Sequence, residues 1–270
     1  MPIPFTKAQA VGNDFLIVEW DALVSEGIAE SELPALARRI CDRHCGAGAD
    51  GLEVVYNPRE DGPQAYLRLF NSDGSEAELS GNGTRCVAAY LVAEGRVSDE
   101  FSLETKAGVK ALRLTGRNGR SFVFEMGMGR PRYAPEEIGC ELATSAGAHK
   151  VTLVNVGNPQ CVLLVDNFDF DWRALGREIE TLPRFPNRMN VSFVKVLDRH
   201  AIDVRFWERG AGETLSSGTG STGAGVAAIL SGKVESPLRI QTLAGDLRLT
   251  WQDEVTLEGP AVIVARGEYY

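Results

Sequence analysis

Basic residues are in short supply: 28 lysines and arginines stand against 37 aspartates and glutamates, a net charge of −9. A nucleic-acid-binding surface needs a basic patch, and this chain has little from which to build one. Long apolar runs are missing too, so no helix of about 18 apolar residues is expected to span a membrane. The opening MPIPFTKAQAVGNDF has no cationic start followed by an apolar core, and no secretory leader is expected. Cysteine is sparse and odd in number. Cys41, Cys45, Cys86, Cys140 and Cys161 follow no disulfide framework and read as reduced thiols of a cytoplasmic protein. Histidine is scarcer still. Cys41, His44 and Cys45 lie close along the chain, but His149 and His200 have no ligand-like neighbours, so no metal site is expected.

What is present is an ordinary globular composition, 44% hydrophobic, in 270 residues. That length suits one large domain or two of roughly 100–150 residues. The informative feature is repetition. RLFNSDGSEAELSGNG from Arg68 matches RFWERGAGETLSSGTG from Arg205 without a gap. The match pairs Phe70 with Trp207, Asn71 with Glu208, Glu76 with Glu213 and Ser80 with Ser217. Both copies continue into small and apolar residues, CVAAYLVAEG and TGAGVAAILSGK. Two weaker echoes keep the same order. VGNDFLIV from Val11 resembles VGNPQCVLLV from Val156, pairing Asn13 with Asn158, and a third alignment pairs Asp50 with Asn190.

Segments such as YLRLF, SFVFEM, VTLVNV, CVLLV, VSFVKV and AIDVRFW alternate or run apolar as strands do. The stretches after Gly83 and Gly220 carry too little polarity for surface helices and are expected to be buried central helices. Helices near ESELPALARRICDRH and DFDWRALGREIETL are expected outside them. The expected fold is therefore α/β: two pseudo-symmetric halves, each a sheet wrapped around a central helix, with a substrate cleft between. The first half would span residues 1–128, with 262–270 returning to it, and the second 129–261.

A glycine-rich loop opening a helix aims unpaired N–H groups and a partial positive charge at whatever precedes it, which makes an anion site. Two such loops facing each other would put Ser80 and Ser217 on opposite sides of one substrate carbon. An acid–base pair placed so can take a proton from one face and return one to the other.

These residues carry a resemblance. The chain is similar to the diaminopimelate epimerase family over essentially its whole length. The matching stretches are GNDF at Gly12, RHCGAGADGL at Arg43, FNSDGSEAELSGNGTRC at Phe70, GNP at Gly157, RMN at Arg188 and ERGAGETLSSGTGSTGA at Glu208. The resemblance implies a cytoplasmic isomerase of lysine biosynthesis, commonly a homodimer, that works without pyridoxal phosphate, other cofactor or metal. Its partner is a small zwitterionic amino acid, LL- or meso-diaminopimelate or a close analogue, with no nucleic acid or membrane involved. The family's two catalytic cysteines fall on Ser80 and Ser217. Its binding residues fall on Asn13, Asn71, Asn158, Asn190, Glu208 and Arg209. Its backbone anion cradles fall on Gly81 with Asn82 and on Gly218 with Thr219. Gln160 stands where the family has histidine, and Gly51 where glutamine is expected.

Serine titrates far above cysteine and needs a neighbouring base to act. Glu208 is the best candidate for that base, because its repeat partner Asn71 is neutral. Three readings follow: epimerisation with serines at the two acid/base positions, a dehydratase or isomerase using one base, and a catalytically silent or trapped binding form. Glu76 and Glu213 are expected to brace backbone rather than react, and Arg68 and Arg205 to support the fold. Met126 and Met128 are expected to pack around a domain junction.

Overall fold

The computed structural model describes residues 2–58 and 62–270. It divides into two units, Met1–Met126 with Gly259–Tyr270, and Gly127–Glu258. The expected boundaries, after residues 128 and 261, fall inside the strands β8 and β17 defined below.

The first unit runs β1 (Ile3–Ala10), β2 (Asn13–Glu19), α1 (Trp20–Ser25), α2 (Leu33–Ile40), β3 (Gly51–Tyr56), β4 (Ala65–Asn71), β5 (Glu76–Ala77), α3 (Gly81–Ala93), β6 (Glu100–Thr105), β7 (Gly108–Asn118) and β8 (Ser121–Gly129). The second runs β9 (Cys140–Thr144), β10 (Gly147–Asn155), β11 (Pro159–Leu164), α4 (Trp172–Glu180), β12 (Asn190–Asp198), β13 (Ala201–Glu208), β14 (Gly212–Thr214), α5 (Gly218–Leu230), β15 (Leu238–Thr242) and β16 (Gly245–Trp251). The final strand β17 (Val255–Tyr269) gives its first residues to the second unit and the rest to the first.

In the first unit the strand order is β17, β1, β2, β3, β4, β6, β7, β8, and β8 pairs back with β17, so the sheet closes on itself. In the second the order is β9, β10, β11, β12, β13, β15, β16, β17. From β1 and β10 onward both sets of strands pair antiparallel, parallel, antiparallel, parallel, antiparallel. The halves are thus the same structure built twice.

Register sharpens one of the sequence echoes. Leu52 lies opposite Phe70 as Val191 lies opposite Trp207, and Phe15 lies beside Gly51 as Gln160 lies beside Asn190. Asn190 is therefore the counterpart of Gly51, not of Asp50 as the sequence alignment had it. A one-residue slip would turn every side chain to the other face of the strand, which the packing forbids. By the same register Glu53 corresponds to Ser192.

Helices α3 and α5 are buried along nearly their whole length, as their shortage of polar residues predicts, and the burial takes in Asn82, Thr84 and Arg85 of α3 as well. Glycine lets the strands come close to α5. A Cβ on Gly225 would stand 2.7 Å from Leu249 Cδ1, and one on Gly223 the same distance from Gln160 Cγ. Overpacking of that kind costs about 1–3 kcal/mol. The amphipathic helices α2 and α4 cover the opposite strand faces. Leu33, Leu36, Ala37 and Ile40 of α2 pack with Leu52, Val54 and Phe70, and each large aliphatic side chain so buried contributes about 1.5–3 kcal/mol. Trp172, Leu175 and Ile179 of α4 pack with Val191, Phe193 and Trp207. Asp171 caps α4 by accepting from the Ala174 N–H at 3.0 Å.

Cys41 is buried in the α2 core, and all five cysteines are free thiols. Among the described residues no helix is long and apolar enough to cross a membrane.

Candidate active site

Both central helices begin with a serine whose backbone is extended, so the hydroxyl can fold back onto the first turn. Ser80 Oγ accepts from the Gly83 N–H at 3.1 Å, and Ser217 Oγ accepts from the Gly220 N–H at 3.1 Å. Each hydroxyl thereby sits at the positive end of a helix of 13 residues.

The second unit adds a carboxylate. Ser217 Oγ donates to Glu208 Oε2 at 3.0 Å while Thr214 Oγ1 donates to Glu208 Oε1 at 2.6 Å. Burial raises the Glu208 carboxyl above its ordinary range, against the pull of these two donors. A carboxylate so placed can take a proton from Ser217 or from a group beside it. Around this pair the amides are fixed by neighbours. Asn158 Nδ2 donates to Thr219 Oγ1 at 3.1 Å, and Gln160 Nε2 donates to Asn158 Oδ1 at 2.6 Å. Asn190 donates to the Pro159 carbonyl and accepts from the Arg209 N–H, both at 3.0 Å. The turn after Glu208 is held by Glu180, which accepts from Trp207 Nε1 at 2.8 Å and from the Gly210 N–H at 2.9 Å.

The first unit is built differently at the same place. Asn71 occupies the Glu208 position and donates to Ser75 Oγ at 2.9 Å, so Ser80 meets no carboxylate there. A polar chain leads away from the helix start instead. Arg85 Nη2 donates to Asn82 Oδ1 at 2.5 Å, and Asn82 Nδ2 reaches Asn13 Oδ1 at 3.5 Å. Asn13 Nδ2 donates to Asp50 Oδ2 at 2.6 Å, and Arg43 bridges Asp50 to Asp14.

The sequence pattern described as diaminopimelate epimerase matches residues 5–134 and 152–270. The diaminopimelate epimerase of Pelotomaculum thermopropionicum is 41% identical, over 98% of both chains. That of Acetivibrio thermocellus is 39% identical, over 98% of this chain and 97% of its own. The chain belongs to the diaminopimelate epimerase family. Two solved structures share its fold. A hydroxyproline epimerase from Agrobacterium vitis has a TM-score of 0.71 at 15% identity, covering 99% of this chain and 92% of the other. A phenazine biosynthesis protein from Bacillus anthracis has a TM-score of 0.69 at 18% identity, covering 99% of each.

Within this epimerase-family chain the expected residues gather around the two helix starts. Ser80, Gly81, Asn82, Asn13 and Asn71 belong to α3 and its flanks; Ser217, Gly218, Thr219, Asn158, Gln160, Asn190, Glu208 and Arg209 belong to α5 and its flanks. Gln160 is only 1% exposed and acts on Asn158 rather than from an open position. Glu76 pairs with Arg68 and Lys106, and Glu213 with Arg173, both as braces. Sequence reasoning missed Thr214, Glu180, Arg85 and Glu53. The last two carried a legible signal: each is a lone charge in an otherwise apolar run, GLEVV and TRCVAAYL.

Proposed function

We propose that the protein moves the proton at the Cα of LL- or meso-diaminopimelate or a close analogue, inverting that centre, with Ser80 and Ser217 at the two acid/base positions. The observation that carries this is the Ser217–Glu208 hydrogen bond at the start of α5. The Cα proton passes to Ser217 Oγ as the serine proton passes to Glu208, leaving the negative charge on the substrate; the carbon then takes the Ser80 hydroxyl proton on its other face, which Ser80 recovers from water as Glu208 releases its proton to water. The N–H groups at the helix start stabilise that charge as it develops. Serine suffices on this side because its partner is a buried carboxylate, which supplies the basicity that the hydroxyl lacks. The same reading makes the protein a cytoplasmic homodimer that uses no cofactor, and sedimentation of the purified protein tests the assembly.

A second reading, a dehydratase or isomerase using one base, is favoured by the asymmetry of the serines. Ser80 has asparagine where Ser217 has glutamate. Incubation with LL- and meso-diaminopimelate in heavy water, followed by NMR at Cα, separates the two. Exchange with inversion supports the epimerase, and exchange without inversion supports the single base. No exchange refutes both and leaves a binding protein.

A further inference from the structure

The base of α3 holds two buried ionisable groups for which the mechanism above has no use. Glu53, on β3, is 2% exposed and points at the first turn of the helix. A Cβ built on Gly83 would overlap its Oε1 and stand 3.2 Å from its Cδ. Among the described residues no side chain or backbone group donates to its carboxyl or forms an ion pair with it. Arg85, on α3, is wholly buried, donates to Asn82, and leaves Nε and Nη1 without partners. Burial pushes the Glu53 carboxyl up to about 8 and draws the Arg85 guanidinium down to about 10. At neutral pH the acid is therefore uncharged and the base is a cation, so the start of α3 lies over a guanidinium with no carboxylate among its hydrogen-bond partners. The second unit has an uncharged hydroxyl, Ser192, in the strand position of Glu53.

We propose that Glu53 is a positioning residue of an anion site at the first turn of α3: as a neutral acid it leaves the site open to a substrate carboxylate, and its ionisation closes the site and sets the alkaline limit of substrate binding. The inference rests on the substrate class proposed above. An ionised Glu53 would place a negative charge against the same turn that must attract one. No other group near that turn titrates in the same interval. Cys86 of α3 stays a thiol because burial pushes it up. Asp14 of β2 remains ionised: burial raises it, but Arg43 and Lys7 of β1 outweigh that and hold it at about 2. Tyr90, with Glu19 and Arg96, lies at the far end of the helix. The remaining buried polar side chains of this unit among the described residues are Thr6, Asn82, Thr84 and Thr105, none of which titrates.

The test is calorimetric titration of the full chain and of Glu53→Gln with LL-diaminopimelate from pH 6.5 to 9.5. Wild-type affinity should fall by about 30-fold more than that of the variant by pH 9.5, as expected for a group titrating at about 8. Comparison with the variant removes the titration of the ligand's own amines. The wild-type-minus-variant infrared difference should hold a protonated-carboxyl band at pH 6.5 that is lost as pH rises through about 8. If Glu53→Gln does not fold, Glu53→Met, close in size and without charge, takes its place. A constant affinity ratio across the pH range overturns the inference while leaving the substrate reading intact. Failure of the wild type to bind at pH 6.5 overturns that reading, and this inference with it.

Discussion

Placing a methyl group on Gly83 tests the geometry beneath α3 directly. Gly83 has ordinary helical backbone, since it is absent from the residues with positive φ, so alanine is locally acceptable there. On helix propensity alone Gly83→Ala should stabilise by up to about 1 kcal/mol. The new Cβ, however, would overlap Glu53 Oε1 and stand 3.3 Å from Phe15 Cε1. The Glu53 carboxyl can swing, but it is enclosed, and overpacking in such a place costs about 1–3 kcal/mol. The single variant should therefore be neutral to about 2 kcal/mol less stable. In a Glu53→Ala background the obstruction is gone and the same methyl fills vacated space, so Gly83→Ala should stabilise by about 1 kcal/mol. The double-mutant cycle, read by urea denaturation at pH 7, should give a coupling of about 1–3 kcal/mol. A coupling below about 0.5 kcal/mol would refute the claim that Glu53 faces Gly83, because sites without contact behave additively.

Further outcomes follow from Glu208 and Asp14. Glu208→Gln should lower the rate of Cα exchange by about 10²–10⁴-fold without unfolding the protein. In the wild type, kcat/KM should rise with pH through a value above the ordinary glutamate range, because burial raises the Glu208 carboxyl and only its ionised form is a base. That limb should be missing from the variant; its persistence would assign the base elsewhere. Asp14 behaves oppositely. Its folded value of about 2 lies below its unfolded one: desolvation opposes the shift, and Arg43 and Lys7 more than overcome it. Its contribution to stability is present above the unfolded value and is lost as pH falls toward 2. Asp14→Asn should thus destabilise the protein at pH 6 and flatten its acid unfolding curve between pH 4 and pH 2, as monitored by circular dichroism.

The fold and the places of the two serines were legible because repetition doubles every signal. The Arg68 and Arg205 copies match without a gap, and a run such as CVAAYL, lacking a polar face, can only be central. The Asp50–Asn190 pairing was misread because loops of different length separate the flanking matches, and only hydrogen-bond register fixes which residue lies opposite which. Thr214 and Glu180 were invisible for another reason. A threonine and a glutamate are ordinary surface residues in sequence, and nothing local reveals that the chain folds back to set one against Glu208 and the other against Trp207. Glu53 was legible in principle, since a single carboxyl inside GLEVV must either break the strand's apolar face or find a use there.

The division of β17 between the units orders events in time. β1 is among the first segments made, yet the strand on its outer side, pairing Ile3 with Tyr269 and Phe5 with Gly267, is the last. While the chain is still being synthesised, residues 127–258 can settle as a complete insert, whereas the unit carrying Ser80 must wait with an open sheet edge. Because closing a long loop costs little more than closing a moderate one, the wait is affordable. Removing the final strand would leave the α5 unit able to form while depriving the α3 unit of closure, so a chain cut short near residue 259 should lose the structure around Ser80 before that around Ser217.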